Sequence, residues 1–144
     1  MKLVIDANIL ISCLISGNIS GMVFSPNLEL YGPELLFDEV RRHKQEIMHK
    51  SALPETDVDL LLLLLEKQVT IVPAVAFSSE LSKAEALLRE HKKDIPYLAL
   101  ALHLACPLWS YEKRLEAIEG VRIVTTQDVM DLLKQQKTSH RNYL

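Results

Sequence analysis

The start of the chain constrains its fold more strongly than any other stretch. Residues 2–6 (Lys-Leu-Val-Ile-Asp) form a short apolar run that ends in a carboxylate, and a second apolar segment follows at 9–11. This order predicts a buried strand that passes directly into a helix. In an open parallel α/β sheet, such a junction places a side chain in the crevice at the carboxyl edge of the strands. We therefore interpret the rest of the chain around Asp6.

Strand and helix patterns alternate along the remainder of the chain. Further strands are predicted at 28–31, 69–72, 107–110 and 121–125. Helical patterns are predicted at 8–16, from Gly32-Pro33 to about Lys50, over the leucine run 60–65, from a capping box at Ser82, over 94–105 and up to Leu133. The alternation predicts the α/β class, a three-layer α/β/α sandwich with a central parallel sheet of four to five strands.

Length and composition favour one globular domain. The chain has 144 residues, of which 49% are hydrophobic and 24% charged, as in an ordinary folded protein. We expect one domain at 1–136, a loose tail at 137–144, and no leader peptide. The net charge of −3 excludes a wholly basic surface. Two widely separated cysteines indicate reduced thiols and a cytoplasmic protein. The leucine run at 60–65 is too short to span a membrane, so we predict that it forms a buried helix.

Four acidic side chains are candidates for a common site. Asp6 ends the first strand, Asp94 opens the apolar helix, and Glu112 follows the short strand near Trp109. Glu39 lies about two turns inside its helix and could lean towards the same edge of the sheet. Converging carboxylates repel one another unless cations lie between them, so this grouping predicts a metal site. Oxygen ligands without a histidine or cysteine pair indicate Mg²⁺ or Mn²⁺.

Cations in such a site would suit phosphoryl chemistry, because they activate water and neutralise charge on a phosphate. Basic side chains near the proposed mouth could hold the backbone of a polyanion, and nucleic acid is the one we favour. These side chains are Arg41, Arg42, Lys44, Lys92, Lys93, Lys113 and Arg114.

Taken singly, each of these residues also has an ordinary structural interpretation. Asp94 could be a helix N-cap, Glu39 a solvated helix charge, and Glu112 part of a surface turn. We predict that Tyr97 and Trp109 are core aromatics. Four histidines, His43, His49, His91 and His103, show no spacing typical of a ligand pair or a catalytic dyad.

Four segments together resemble the PIN-domain family in order and spacing. They are Leu-Val-Ile-Asp6-Ala-Asn8-Ile-Leu-Ile, Phe37-Asp38-Glu39-Val40, Asp94-Ile-Pro-Tyr-Leu-Ala-Leu-Ala-Leu and Pro107-Leu-Trp-Ser110-Tyr-Glu112-Lys-Arg-Leu. The resemblance covers the chain from Met1 to about Leu133 and implies a PIN-like fold.

The resemblance also implies a function. It indicates a metal-dependent ribonuclease similar to the VapC-like toxins of prokaryotic toxin–antitoxin pairs, with RNA as substrate, an antitoxin as a possible partner, and a homodimer. Asp6, Glu39 and Asp94 match the three acidic positions of the family motif. Asn8 and Ser110 match polar positions near the metal. Within this interpretation, the candidates for RNA contact are Arg41, Arg42, Lys113 and Arg114.

Two departures from the family pattern leave a second hypothesis open. Glu112 stands where the family usually has Asp, and Ala7 stands where Thr or Ser is common. A PIN-like module that has weakened or lost catalysis and binds RNA or a protein is therefore the alternative. A third possibility, a phosphatase or receiver domain built on a strand-end aspartate, fits less well. The phosphatase would need a second Asp at position 8, where the chain has Asn8.

Overall fold

Five parallel strands form a single sheet in a computed structural model of the protein, which describes residues 1–18, 20–89 and 92–142. The strands are β1 (Lys2–Ile5), β2 (Glu29–Pro33), β3 (Val69–Val72), β4 (Leu108–Trp109) and β5 (Ile123–Val124). Their order in the sheet is β3-β2-β1-β4-β5, with β1 in the centre. This arrangement confirms the predicted α/β/α class and its parallel sheet.

Helices connect the strands and cover the sheet. They are α1 (Ala7–Ser16), α2 (Ser20–Val23), α3 (Leu36–Arg42), α4 (Lys44–Ser51), α5 (Glu55–Gln68), α6 (Ser78–Leu87), α7 (Ile95–Leu104) and α8 (Thr126–Asn142). Short 3₁₀ turns occur at Ala74–Phe77, Lys92–Asp94 and Lys113–Ala117. In the part of the chain that the structure describes, none of the helices combines the length and the apolar character needed to cross a membrane.

The core lies where β1 and α7 pack together. Leu3, Val4 and Ile5 are fully buried, as expected for a central parallel strand that is covered on both faces. The middle of α7, residues 97–101, is also buried, and this helix packs against α6, β1 and β2. The predicted burial of this apolar helix is therefore confirmed for residues 97–101.

The prediction that Gly32-Pro33 begins a helix is wrong, because both residues belong to β2. A Cβ atom on Gly32 would collide with a methyl group of Leu36, so a larger residue here would force the Leu36 side chain to move. The single helix predicted as far as Lys50 is divided at His43 into α3 and α4. Proline is common at the first position of a helix, so local sequence favoured a helix here. The pairing of Pro33 with Val72 of β3 places it in the strand.

The prediction of a buried leucine helix is also wrong, since α5 buries only one face. Leu62 and Leu65 are buried, whereas Leu60 and Leu63 are 58% and 55% exposed. A helix of this kind has one side on the core and the other on solvent, whatever the composition of the exposed side.

Two further boundaries differ from the predictions. Helix α6 begins at Ser78, so Ser82 lies inside the helix and does not cap it. Helix α8 continues to Asn142, beyond the predicted end at Leu133, so residues 137–142 are helical where a loose tail was predicted. The placement of a domain boundary at 136 stays a prediction, and residues 143–144 lie outside the described residues.

Candidate functional site

A cleft of about 710 Å³ opens at the carboxyl edge of β1 and β4. All four predicted carboxylates line it, although they come from four separate segments of the chain. The lining residues are Asp6, Asn8, Glu39, Arg42, His43, Lys92, Lys93, Asp94, Tyr97 and Glu112. The fold therefore brings together the acidic residues that the sequence singled out.

Asp6 is held at the base of this cleft by two hydrogen bonds. The hydroxyl of Ser110 donates to Oδ2 at 2.9 Å, and the backbone N–H of Asn8 donates to Oδ1 at 3.4 Å, which makes Asp6 the N-cap of α1. Burial raises the pKa of Asp6, and the nearby charge of Glu112 raises it further, while both hydrogen bonds oppose the rise. Burial dominates because a carboxylate that is 6% exposed has lost most of its hydration.

Glu39 projects from α3 and meets Tyr97 of α7. The Tyr97 hydroxyl donates to Oε2 of Glu39 at 3.0 Å. Burial raises the pKa of Glu39, as does the charge of Asp6, whereas the Tyr97 hydrogen bond and the nearby cations Arg42 and Lys93 lower it. Tyr97 is buried, as predicted for a core aromatic, but the sequence did not reveal that its hydroxyl reaches the site.

Glu112 and Asp94 complete the acidic lining. The backbone N–H of Glu112 donates to the Ser110 hydroxyl at 3.0 Å, so this hydroxyl links the Glu112 segment to Asp6. Asp94 occupies the N-cap position of α7, but its side chain makes no capping hydrogen bond. Capping therefore does not account for an aspartate here. Burial raises the pKa of Tyr97, and the charges of Glu39, Asp6 and Asp94 raise it further. The Tyr97 hydroxyl therefore lies within electrostatic reach of these three carboxylates.

The donor set suits a hard divalent cation, because every acidic ligand offers oxygen. The carboxylates are spread around the cleft, however, and do not converge on one point. Within residues 1–18, 20–89 and 92–142, no three His, Cys, Asp or Glu side chains are grouped so that they could hold one metal ion. The carboxylates thus share a cleft without forming a preassembled metal site.

The basic residues divide into two groups. Arg42, Lys92 and Lys93 line the cleft. Arg41, in contrast, forms an ion pair with Glu66 of α5. Lys44 forms ion pairs with two acidic groups of α5. Lys113 and Arg114 lie in the 3₁₀ turn after Glu112, outside the lining residues. Of the four candidates for RNA contact, the structure places Arg42 in the cleft.

Two of the histidines lie beside carboxylates in the part of the chain that the structure describes. His43 lines the cleft, which its sequence position did not indicate, and its Nδ1 lies 3.1 Å from Oε2 of Glu46. His103 lies 3.3 Å from Glu80 at the surface. His91 is outside the described residues.

The fold and the cleft define a three-layer α/β/α protein with an acidic site at the carboxyl edge of its sheet. The sequence profile of the PIN domain matches residues 4–134, which is most of the chain and includes all four carboxylates. The chain therefore belongs to the PIN-domain family, a family of nucleases. Among curated proteins, none matches the sequence.

Solved structures share this fold. The chain is similar to one of VapBC2 from Rickettsia felis, solved bound to a DNA fragment from their promoter, with a TM-score of 0.65 at 9% identity over 87% of this chain and 98% of that chain. It is also similar to one of VapBC-1 from nontypeable Haemophilus influenzae, with a TM-score of 0.61 at 17% identity over 88% and 99% of the two chains. At such identities the likeness concerns the fold, and the chemistry depends on the site.

Proposed function

We propose that this PIN-domain protein is a metal-dependent endoribonuclease that hydrolyses phosphodiester bonds in RNA. The observation that carries the proposal is the cleft in which Asp6, Glu39, Asp94 and Glu112 meet. Burial raises the pKa of Asp6 and of Glu39, and a neighbouring carboxylate raises each of them further. Acidic groups perturbed in this way in a cleft are typical of functional sites, because a stable fold has no need to bring like charges together.

Asp6, Glu39 and Asp94 are the side chains that we assign to Mg²⁺ or Mn²⁺, with Glu112 as a fourth. When bound, such a cation supplies charge neutralisation at the phosphate and favours the ionisation of water. The protein's own side chains orient the ligands and bind the substrate. Ser110 fixes the orientation of the Asp6 carboxylate. Arg42, Lys92 and Lys93 carry the positive charge that would hold the RNA backbone without reading its sequence.

The shared fold with VapBC chains supports a more specific role as the toxin of a toxin–antitoxin pair. This role includes a small antitoxin protein as partner, a homodimer, and a place in the cytoplasm. The neighbouring open reading frame tests it. A small DNA-binding protein with a short helical tail encoded there, which copurifies with this chain when coexpressed, is the expected result. A neighbour of unrelated type that does not copurify would contradict the toxin role.

A binding module with weakened catalysis is the second candidate. It is favoured by Glu112 and Ala7, which depart from the family pattern, and by the open arrangement of the carboxylates among the described residues. Such a module would bind RNA in the same cleft and leave it intact.

Cleavage of a generic single-stranded RNA by the purified protein, with Mn²⁺ titrated from zero, distinguishes these candidates. Wild-type protein should cleave only when Mn²⁺ or Mg²⁺ is present, and Asp6→Asn should lower the rate by more than about 100-fold. Asp38→Asn is the matched control, since Asp38 is an exposed carboxylate of α3 that does not line the cleft.

The proposal fails if wild type and Asp6→Asn are equally inert, or equally active, across the range of metal concentrations. RNA binding without cleavage by the wild type would select the binding module.

A further inference from the structure

The hydroxyl of Tyr97 reaches the candidate site from the core of the protein. Tyr97 lies three residues after Asp94 and is 2% exposed. Its hydroxyl donates to Oε2 of Glu39, a residue 58 positions away in the sequence, so the bond joins α7 to α3. Packing in the core explains why the aromatic ring of Tyr97 is buried. It does not explain the buried hydroxyl, because Phe would fill the same space without needing a hydrogen-bond partner.

The acceptor of the Tyr97 hydroxyl, Glu39, connects this hydrogen bond to the candidate site. A buried tyrosine hydroxyl commonly finds any available acceptor, but here the acceptor is a carboxylate that lines the cleft. The hydrogen bond occupies one oxygen of Glu39, and a carboxylate keeps a second oxygen that can coordinate a cation. A rigid aromatic side chain locked in the core therefore determines where this carboxylate sits.

We propose that Tyr97 is a positioning residue: its hydroxyl holds the Glu39 carboxylate in the cleft so that it can take a divalent cation together with Asp6 and Asp94. This inference rests on the proposed function. Groups behind the ligands orient metal sites in this way, and their loss weakens metal binding although they never touch the ion.

Tyr97→Phe tests the hydroxyl alone, because the ring that fills the core is retained. We expect Mn²⁺ affinity, measured by isothermal titration calorimetry, to fall by about 10-fold or more. Tyr31→Phe is the matched control. The Tyr31 hydroxyl also contacts a glutamate, Glu29 at 3.3 Å, but that pair is exposed and does not line the cleft. This control should bind Mn²⁺ as the wild type does.

A double-mutant cycle with Glu39→Gln separates positioning from a general effect on packing. If Tyr97 acts through Glu39, Tyr97→Phe weakens Mn²⁺ binding in the wild type and has no further effect in the Glu39→Gln background. An equal loss in both backgrounds would show that the hydroxyl serves the structure only, and would overturn the inference.

The near-UV difference spectrum of the wild type provides a second test that needs no folded Tyr97 variant. Mn²⁺ should perturb tyrosine absorbance, because the acceptor of the Tyr97 hydroxyl takes up a cation, and Glu39→Gln should remove that signal. A silent spectrum would count against the inference.

The two proposals fail in distinguishable ways. If wild type binds Mn²⁺ and cleaves RNA while Tyr97→Phe retains full affinity, only the role of Tyr97 is refuted. If wild type neither binds Mn²⁺ nor cleaves RNA, both proposals fall.

Discussion

Asp6 makes two side-chain hydrogen bonds at the junction of β1 and α1 and also faces the cleft. It caps the helix through the N–H of Asn8, accepts the hydroxyl of Ser110, and lines the cleft. The cap and the hydrogen bond stabilise the fold, but burial of the charge opposes folding and raises the pKa of Asp6. A residue that serves a site at the expense of stability is expected in an active centre.

Replacing Asp6 by Asn should stabilise the metal-free protein at neutral pH. Because the folded-state pKa lies above the ordinary value of 3.8, the folded protein binds a proton more tightly than the unfolded chain. Stability from this group is therefore present at acidic pH and is lost as pH rises through the folded-state pKa. Asn caps helices as well as Asp does, so we expect the melting temperature in EDTA to rise by roughly 2–4 °C.

The gain should shrink as pH is lowered towards 3.8, because the raised pKa means that the Asp6 carboxyl of the folded wild type takes up its proton above that pH. Asp131→Asn is the control, since Asp131 is exposed on α8, and it should change stability by less than about 0.5 kcal/mol. A lower melting temperature for Asp6→Asn at neutral pH would show that the ionised carboxylate stabilises the fold.

Helix α5 shows how one element can carry leucines on both faces. Leu65 is 1% exposed and packs in the core, whereas Leu63, two positions earlier, is 55% exposed. Ion pairs from Arg41 to Glu66 and from Lys44 to Glu55 and Asp59 join α5 to α3 and α4. Because such exposed pairs contribute little to stability, the burial of Val58, Leu62 and Leu65 accounts for the orientation of the helix.

A matched pair of truncations tests this orientation. Leu65→Ala removes buried methyl groups and should lower the free energy of unfolding by about 2–5 kcal/mol. Leu63→Ala should change it by less than about 0.5 kcal/mol, since the side chain already lies largely in water. Urea unfolding followed by circular dichroism measures both values. Equal losses would mean that the Leu63 face is covered in solution.

The order of the strands explains the position of the site in the whole molecule. The chain proceeds from β1 to β2 and β3 on one side of the sheet, then returns to β4 and β5 on the other. Parallel sheets bind ligands at such a reversal, because the connections diverge there and leave a crevice beyond the strand ends. Asp6 follows β1 and Glu112 follows β4, so both belong to that crevice.

The distribution of charge over the molecule predicts where RNA binds. The net charge is −3, yet Arg42, Lys92 and Lys93 are gathered at the cleft. In the cleavage-deficient Asp6→Asn protein, replacing both Lys92 and Lys93 by Gln should weaken single-stranded RNA binding. It should also reduce the slope of log affinity against log salt by about 1.4, because each phosphate contact contributes about 0.7. Fluorescence anisotropy at several salt concentrations measures the slope.

Lys113→Gln with Arg114→Gln is the comparison, since it removes the same charge from outside the cleft lining. If that pair reduces the slope as much as Lys92 and Lys93 do, the RNA extends across the 3₁₀ turn after Glu112, as the sequence alone suggested.

Local sequence was sufficient for the features that depend on neighbouring residues. The apolar run 2–5 predicts β1, the burial of α7 follows from its composition, and the alternation of strands and helices predicts the parallel sheet. From the parallel sheet it follows that Asp6 and Glu112 share an edge. The order of acidic residues also sufficed to indicate the family, which the match to residues 4–134 confirms.

Only the tertiary structure decided the features that depend on distant partners. Gly32 and Pro33 belong to β2 because they pair with Ile71 and Val72 of β3, and Arg41 faces Glu66 because α5 docks beside α3. Tyr97 appeared to be an ordinary core aromatic until α3 placed Glu39 beside its hydroxyl. The spacing of apolar residues predicts whether a side chain is buried. The hydrogen-bond partner of a buried polar group depends instead on the packing of segments that are far apart in the chain. Asp6 was therefore identifiable from sequence, and the contacts that hold it and its neighbours in place were not.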